Sequence, residues 1–273
     1  MKIISLVENT STKENYGTEH GLSLYIEWQD KKLLFDTGAS DLFLRNAKQA
    51  GVDISDVDAL ILSHGHDDHG GGLETFLHHN LKAKIYMQKE AFGQYLSASG
   101  QRVEYIGLDQ KLKDEPRIVY CEGRTEIYPG CTIFDGVTGR RFFSPANKTL
   151  LQRKGVDSCD FEPDEFVHEQ YLVLEENAHR VLLGGCCHNG IVNVVDKAIA
   201  CNMRPDVVIS GFHFLHMSIE KSSDFVDLVS KELQKHAILY YTCHCTGKPC
   251  YERMKENMGD QIEYLACGDE IEI

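Results

Sequence analysis

The chain has 273 residues, 42% of them hydrophobic, which is enough for one substantial domain with its own core. A formal net charge of -14, from 42 acidic against 28 basic residues, gives a surface that repels phosphate polymers and anionic lipid, so nucleic acid and membranes are excluded as expected partners. The amino-terminal apolar run at 3–7 is too short for a signal peptide, and ten cysteines without a secretion signal read as reduced thiols, so a cytoplasmic location is expected.

In chain order, residues 2–7, 22–28 and 33–36 read as strands, with a polar turn at Gln29-Asp30-Lys31 closing a hairpin between the last two. Ser40 has the character of an N-cap for an amphipathic helix that is apolar at Leu42, Phe43, Ala47 and Ala50 and ends at Gly51. A buried strand is predicted over 58–62 and a helix over 73–79. Strands return at 170–175, 180–184, 206–210, 237–242 and 261–265, separated by helical patterns at 190–201, 218–235 and 249–258. Two strand-rich halves punctuated by helices predict an α/β fold, a four-layer αβ/βα sandwich, with a doubly wound parallel sheet as the alternative. No repeat or linker asks for a boundary, so residues 1–273 are expected to form a single domain. The stretch at about 97–168 has weak periodicity and several turn signals, the pattern of a lid or substrate-shaping insertion.

Ser63-His64-Gly65-His66-Asp67-Asp68-His69-Gly70-Gly71-Gly72 follows the 58–62 strand and sets three histidines and two carboxylates within residues 64–69. Imidazole and carboxylate donors suit zinc, manganese or iron, and a loop at a strand end turns alternate side chains toward one point. The spacing divides the donors, His64 and His66 for one metal, Asp68 and His69 for a second. Further ligands are expected where histidines follow apolar runs, and His188 and His244 fit best. His168 is the rival for the third histidine of the first metal. His213, just after the strand at 206–210, is a candidate catalytic proton donor, and His20 is a weaker pocket candidate. A structural zinc on Cys243, Cys245 and Cys250 lacks a second C-x-x-C pair to complete it.

The H-x-H-x-D-H loop after a strand resembles the metallo-β-lactamase superfamily, and Leu34-Phe35-Asp36-Thr37-Gly38 looks like that family's Asp-Thr-Gly element, whose Asp would orient a ligand histidine. Within the superfamily the chain is similar to the 7,8-dihydropterin-6-methyl-4-(β-D-ribofuranosyl)aminobenzene-5'-phosphate synthase branch. Four segments carry that likeness, namely His20-Gly21-Leu22-Ser23, residues 185–191 (GCCHNGI), Gly211-Phe212-His213 and residues 243–247 (CHCTG).

The resemblance implies the metallo-β-lactamase fold, two metal ions, zinc by preference with manganese or iron as alternatives, and a metal-activated hydroxide oriented by Asp68. The substrate would be a small ester, lactone or phosphoester. Two alternatives stand beside this hydrolase. One is a synthase condensing a pterin diphosphate with an aminobenzene ribofuranosyl phosphate, and the other is a non-catalytic metal-dependent binding protein. Diiron oxidoreductases of the same fold typically carry glutamate at the position of His66, so histidine favours a hydrolytic or Lewis-acid metal. Cys186 stands where the wider family is expected to have a bridging aspartate, and it reads as a small packed residue ahead of a thiolate ligand. The oligomeric state is not legible.

Overall fold

Strand register follows the alternation of apolar side chains in the computed structural model, which describes residues 1–155, 158 and 160–273. The first half runs β1 (Lys2–Val7), β2 (Ser23–Trp28), β3 (Lys31–Phe35), α1 (Leu42–Gln49), β4 (Ala59–Ile61), α2 (Asp67–Gly70), α3 (Leu73–His79) and β5 (Lys84–Gln88). Next come β6 (Tyr95–Ser99), β7 (Arg102–Tyr105), β8 (Ile118–Cys121), β9 (Thr125–Tyr128), β10 (Cys131–Phe134), β11 (Leu150–Arg153) and β12 (Phe161–Pro163). The chain ends with β13 (Tyr171–Glu176), β14 (His179–Leu183), α4 (Ile191–Ala200), β15 (Val207–Ser210), α5 (Ile219–Leu233), β16 (Leu239–Thr242), α6 (Lys248–Met258), β17 (Ile262–Tyr264) and β18 (Glu270–Glu272).

Two seven-stranded sheets form, in the orders β18-β1-β2-β3-β4-β5-β8 and β17-β16-β15-β14-β13-β10-β9. Side chains alternate across each strand. On β3, Leu33 and Phe35 face the other sheet while Leu34 packs with α1 and α3. On β14, Val181 and Leu183 face inward and Leu182 packs under α4, α5 and α6. The inter-sheet core joins Ile26, Phe35 and Ile61 of one half to Leu172, Leu183 and Ile209 of the other. Helices cover both outer faces, so the architecture is the predicted αβ/βα sandwich.

Within 97–168, β8 extends the first sheet and β9 and β10 the second, while β11 and β12 join β6 and β7 in a separate four-stranded sheet, β12-β11-β6-β7. The hairpin turn after β2 is made by Gln29 and Asp30, with Trp28 paired to Lys31. Helix α1 is preceded by Asp41 rather than capped at Ser40, yet Ser40 Oγ still accepts the Leu42 N–H at 3.1 Å. The nine described cysteines are unpaired, and Cys159 lies outside the described residues. Among the described residues no helix is long and apolar enough to cross a membrane.

Candidate metal centre

Most candidate donors sit just beyond the carboxyl end of a strand in a parallel ladder, whereas His20 and His168 precede β2 and β13. β3, β4 and β5 run parallel in one sheet, and β14, β15 and β16 in the other. Asp36 follows β3, residues 63–69 follow β4, Cys186 and His188 follow β14, His213 follows β15 and His244 follows β16. Ligand sites in such sheets lie at these ends because the connecting loops there are free of the ladder. The exits are sharp, with Asp36, Cys187, His213 and His244 at φ of 59°, 48°, 55° and 47°. Non-glycine residues adopt this left-handed region only when their surroundings enforce it. Gly185 is needed for close approach, since a Cβ there would lie 2.2 Å from Ser63 Oγ.

The strand-end donors form two adjacent groups, and a third grouping, His66 with Asp164 and His168, shares His66 with the first. His64, His66 and His188 make one, and Asp68, His69, Cys186 and His244 the other, with one ligand atom per residue and all atoms of a group within 4.8 Å. His64 Nε2 faces His66 Nδ1 at 3.1 Å. In the second group, His69 Nε2 lies 3.3 Å from Cys186 Sγ, and Asp68 Oδ2 lies 3.2 Å from His244 Nε2 and 3.7 Å from His69 Nε2.

The opposite ring nitrogens fix which lone pairs face inward. His69 Nδ1 donates to Asp36 Oδ2 at 2.7 Å, and Ser63 Oγ donates to the same oxygen at 2.7 Å, leaving Ser63 Oγ to accept from His64 Nδ1 at 2.8 Å. His188 Nδ1 donates to Asn147 Oδ1 at 3.2 Å, and His244 Nδ1 to Asn9 Oδ1 at 2.8 Å. Fixing the outer nitrogen orients a ligand imidazole and raises its basicity. Nε2 of His188 and Nε2 of His244 are buried without a hydrogen-bond partner. An unsatisfied buried polar atom costs about 1–3 kcal/mol, so convergent inward lone pairs fit a bound divalent cation.

Charge follows the same division. Burial holds the His64 and His188 imidazoles well below their ordinary range, so both are neutral. Burial opposes a charged His69, but Asp68 and Asp36 outweigh it and push it up to about 9. Burial also works against the Asp68 carboxylate, yet His69, His20 and His244 hold it well below the usual range. The second group therefore draws positive charge to itself. Burial and the neighbouring Cys245 push the Cys186 thiol well up, so a thiolate there needs a cation beside it.

The two candidates for the third histidine differ in what their ring nitrogens already bond. His168 accepts the Gly65 N–H on Nδ1 at 2.9 Å, and its Nε2 lies 3.1 Å from Asp164 Oδ2, so both nitrogens are engaged. His188 instead offers a free Nε2 to His64 and His66. Cys186 lies among the donors of the second group as well as being packed. His213 is half-buried, with its ring 4.3 Å from that of His188. Burial, then His66 and His216, push it down to about 3, so the imidazole is neutral at pH 7. His20 lies 3.3 Å from Asp68 Oδ2 at the rim. His216 also lines the cavity. Cys243, Cys245 and Cys250 do not form a donor group among the described residues.

Sequence reasoning missed Asn9, Asn147, Asp164, Glu8 and Glu169, single polar residues without a motif, of which all but Asp164 bond a candidate histidine distant in sequence. The cavity above both groups has a volume of ≈ 140 Å³, and Ser97, Leu150 and His213 contribute to its wall.

The metallo-β-lactamase superfamily model matches residues 16–130. An uncharacterized protein of Methanocaldococcus jannaschii is 27% identical over 89% of this chain and 89% of its own. The 7,8-dihydropterin-6-methyl-4-(β-D-ribofuranosyl)-aminobenzene-5'-phosphate synthase of the same organism is 25% identical, covering 98% of this chain and 95% of its own. A crystal structure of a metal-dependent hydrolase of the β-lactamase superfamily superposes with a TM-score of 0.82 at 29% identity, covering 100% of this chain and 99% of the other.

Proposed function

We propose that this chain, whose residues 16–130 match the metallo-β-lactamase superfamily model, is a metal-dependent hydrolase of a small ester, lactone or phosphoester. The observation that carries this reading is the pair of donor groups facing one small cavity. His64, His66 and His188 would hold one ion, and Asp68, His69, Cys186 and His244 a second. Imidazole, carboxylate and thiol donors favour zinc, with manganese or iron as alternatives. When bound, the ions would supply Lewis acidity and bring the pKa of water toward neutrality. Asp68, anionic between His69 and His244, would orient the attacking water. The neutral His213 imidazole would donate a hydrogen bond to a substrate oxygen as charge develops there.

The full-length likeness to the synthase favours a second reading, condensation of a pterin diphosphate with an aminobenzene ribofuranosyl phosphate. The hydrolase reading is preferred because the cavity is small and its described lining contains neither Lys nor Arg, which leaves a diphosphate without protein cations. Ser97 of β6 and Leu150 of β11 support a substrate-shaping role for the four-stranded sheet, and the shared inter-sheet core supports one domain over 1–273. Unpaired cysteines support a reducing, cytoplasmic setting.

The test is elemental analysis of protein purified without chelator, with His66→Ala and His188→Ala variants, followed by turnover screens on phosphoesters, lactones and pterin diphosphates. Near two equivalents of metal, reduced in both variants, with turnover of an ester, lactone or phosphoester, supports the hydrolase. No metal after reconstitution refutes it, and metal without turnover of any of these substrates moves the reading to a binding protein.

A further inference from the structure

We propose that Glu8 and Glu169 are matched positioning residues, each holding the turn that carries the histidine its donor group takes from the second half of the chain. The inference rests on the two-group reading above.

Glu169 is 1% exposed and Glu8 0% exposed, and neither belongs to a donor group. Glu169 Oε1 accepts the backbone N–H of His188 at 2.7 Å. Its Oε2 accepts the Asn189 N–H at 3.0 Å, the Asn189 side-chain amide at 2.9 Å and the hydroxyl of Tyr171. Glu8 repeats the pattern in the other sheet. Its Oε1 accepts the backbone N–H of His244 at 2.6 Å and the Tyr264 hydroxyl at 2.6 Å. Its Oε2 accepts the Thr10 N–H at 2.6 Å and the Thr10 hydroxyl at 2.7 Å.

Each carboxylate thus takes one candidate ligand's backbone N–H, one tyrosine hydroxyl, and a backbone plus a side-chain donor from one further residue. Both turns are left-handed, at Cys187 before His188 and at His244 itself. Such a conformation costs about 1–3 kcal/mol per residue and persists only where neighbours over-determine it. A buried carboxylate accepting the turn's N–H is a strong, charge-assisted constraint of this kind. The two glutamates share no partner, so each should govern one donor group only. Glutamine matches the volume of glutamate but, either way round, presents an amide N–H₂ where a carboxylate oxygen accepts a backbone N–H, so Glu→Gln loosens the turn without leaving a cavity.

The experiment uses the full chain, stripped and titrated with zinc against a chromophoric chelator, and with cobalt(II) for its absorption spectrum. His188→Ala and His244→Ala identify which metal equivalent belongs to which group. Glu169→Gln is expected to weaken the His188 equivalent about 10- to 100-fold while leaving the other within about threefold, and Glu8→Gln to do the converse. The cobalt spectrum is expected to change only in the component lost in the matching histidine variant. Equal weakening of both equivalents, or no change in either, overturns the inference. If the glutamine variants do not fold, Tyr171→Phe and Tyr264→Phe remove one donor from each carboxylate, and the same selectivity at smaller amplitude is required. Unchanged metal content in His188→Ala and His244→Ala would refute the two-group reading itself, a different outcome from loss of selectivity.

Discussion

Replacing Asp36 by Asn tests how the centre is oriented without emptying any volume. Asp36 is fully buried and left-handed at φ 59°, a conformation asparagine tolerates. Its Oδ1 accepts the Ser63 N–H at 2.7 Å, and its Oδ2 accepts both the Ser63 hydroxyl and His69 Nδ1 at 2.7 Å. Asparagine keeps one acceptor oxygen. If that oxygen stays with the Ser63 N–H, an amide N–H₂ confronts the hydroxyl and His69, and the flipped amide confronts the backbone N–H instead. The Ser63 hydroxyl can rotate, but the ring N–H of His69 cannot. A hydrogen bond to a charged group contributes about 1.5–3 kcal/mol, which corresponds to roughly a 10- to 100-fold loss of metal affinity at the group containing His69. Competition titration with zinc reads this directly, and circular dichroism checks that the fold is retained. A folded Asp36→Asn protein with wild-type affinity for both equivalents would refute the view that Asp36 orients a ligand.

Three further outcomes are expected. His168→Ala should keep both metal equivalents in elemental analysis, whereas His188→Ala should lose one; the reverse pattern would exchange the two residues' roles. Cys186→Ser should weaken zinc by about tenfold or more at one equivalent while changing manganese little, because thiolate donors select soft metals, and equal loss of both would return Cys186 to a packing role. Between α5 and α6, the Arg253 guanidinium and then Asn257 hold the Asp227 carboxyl below its ordinary 3.8, so its contribution is complete above that pH and is lost as pH falls through the lowered value. The pair is about one-third exposed, so solvent limits it to under about 1 kcal/mol. Asp227→Asn should lower the melting temperature slightly at pH 7 and not at pH 2, and a larger effect in acid would reverse the assigned sign.

The parts of the centre read from sequence are those with local signatures. Residues 64–69 are dense in donors after an apolar strand, and His188 and His244 each follow an apolar run, so their place at strand ends is legible. The β3, β13 and β14 strands alternate cleanly between two buried faces. By contrast, β7 is exposed along its whole length, so the small sheet leaves little periodic signal. The choice between His168 and His188 depends on what each ring's nitrogens already bond, and while Asp164 lies four residues from His168, the Gly65 N–H that engages its other nitrogen is 103 residues away. Asn9 and Asn147 act on histidines 235 and 41 residues away, separations at which no spacing rule operates. Cys186 was visible as a departure from the family pattern, but a thiol's packing and ligand roles look alike until the neighbours are known.

The donor groups draw on both halves of the chain. His64 and His66 come from the loop after β4 and His188 from the loop after β14, while Asp68 and His69 are joined by Cys186 and His244 from the opposite sheet. Each ion would therefore be a rivet across the seam of the sandwich, added to the apolar contacts and to polar links such as Trp28 to Glu175 and Gln170 to Leu62 that already join the sheets. Stripping it would loosen that seam at the end where the loops emerge, so the mouth of the cavity would lose mechanical stiffness before the core between the sheets does.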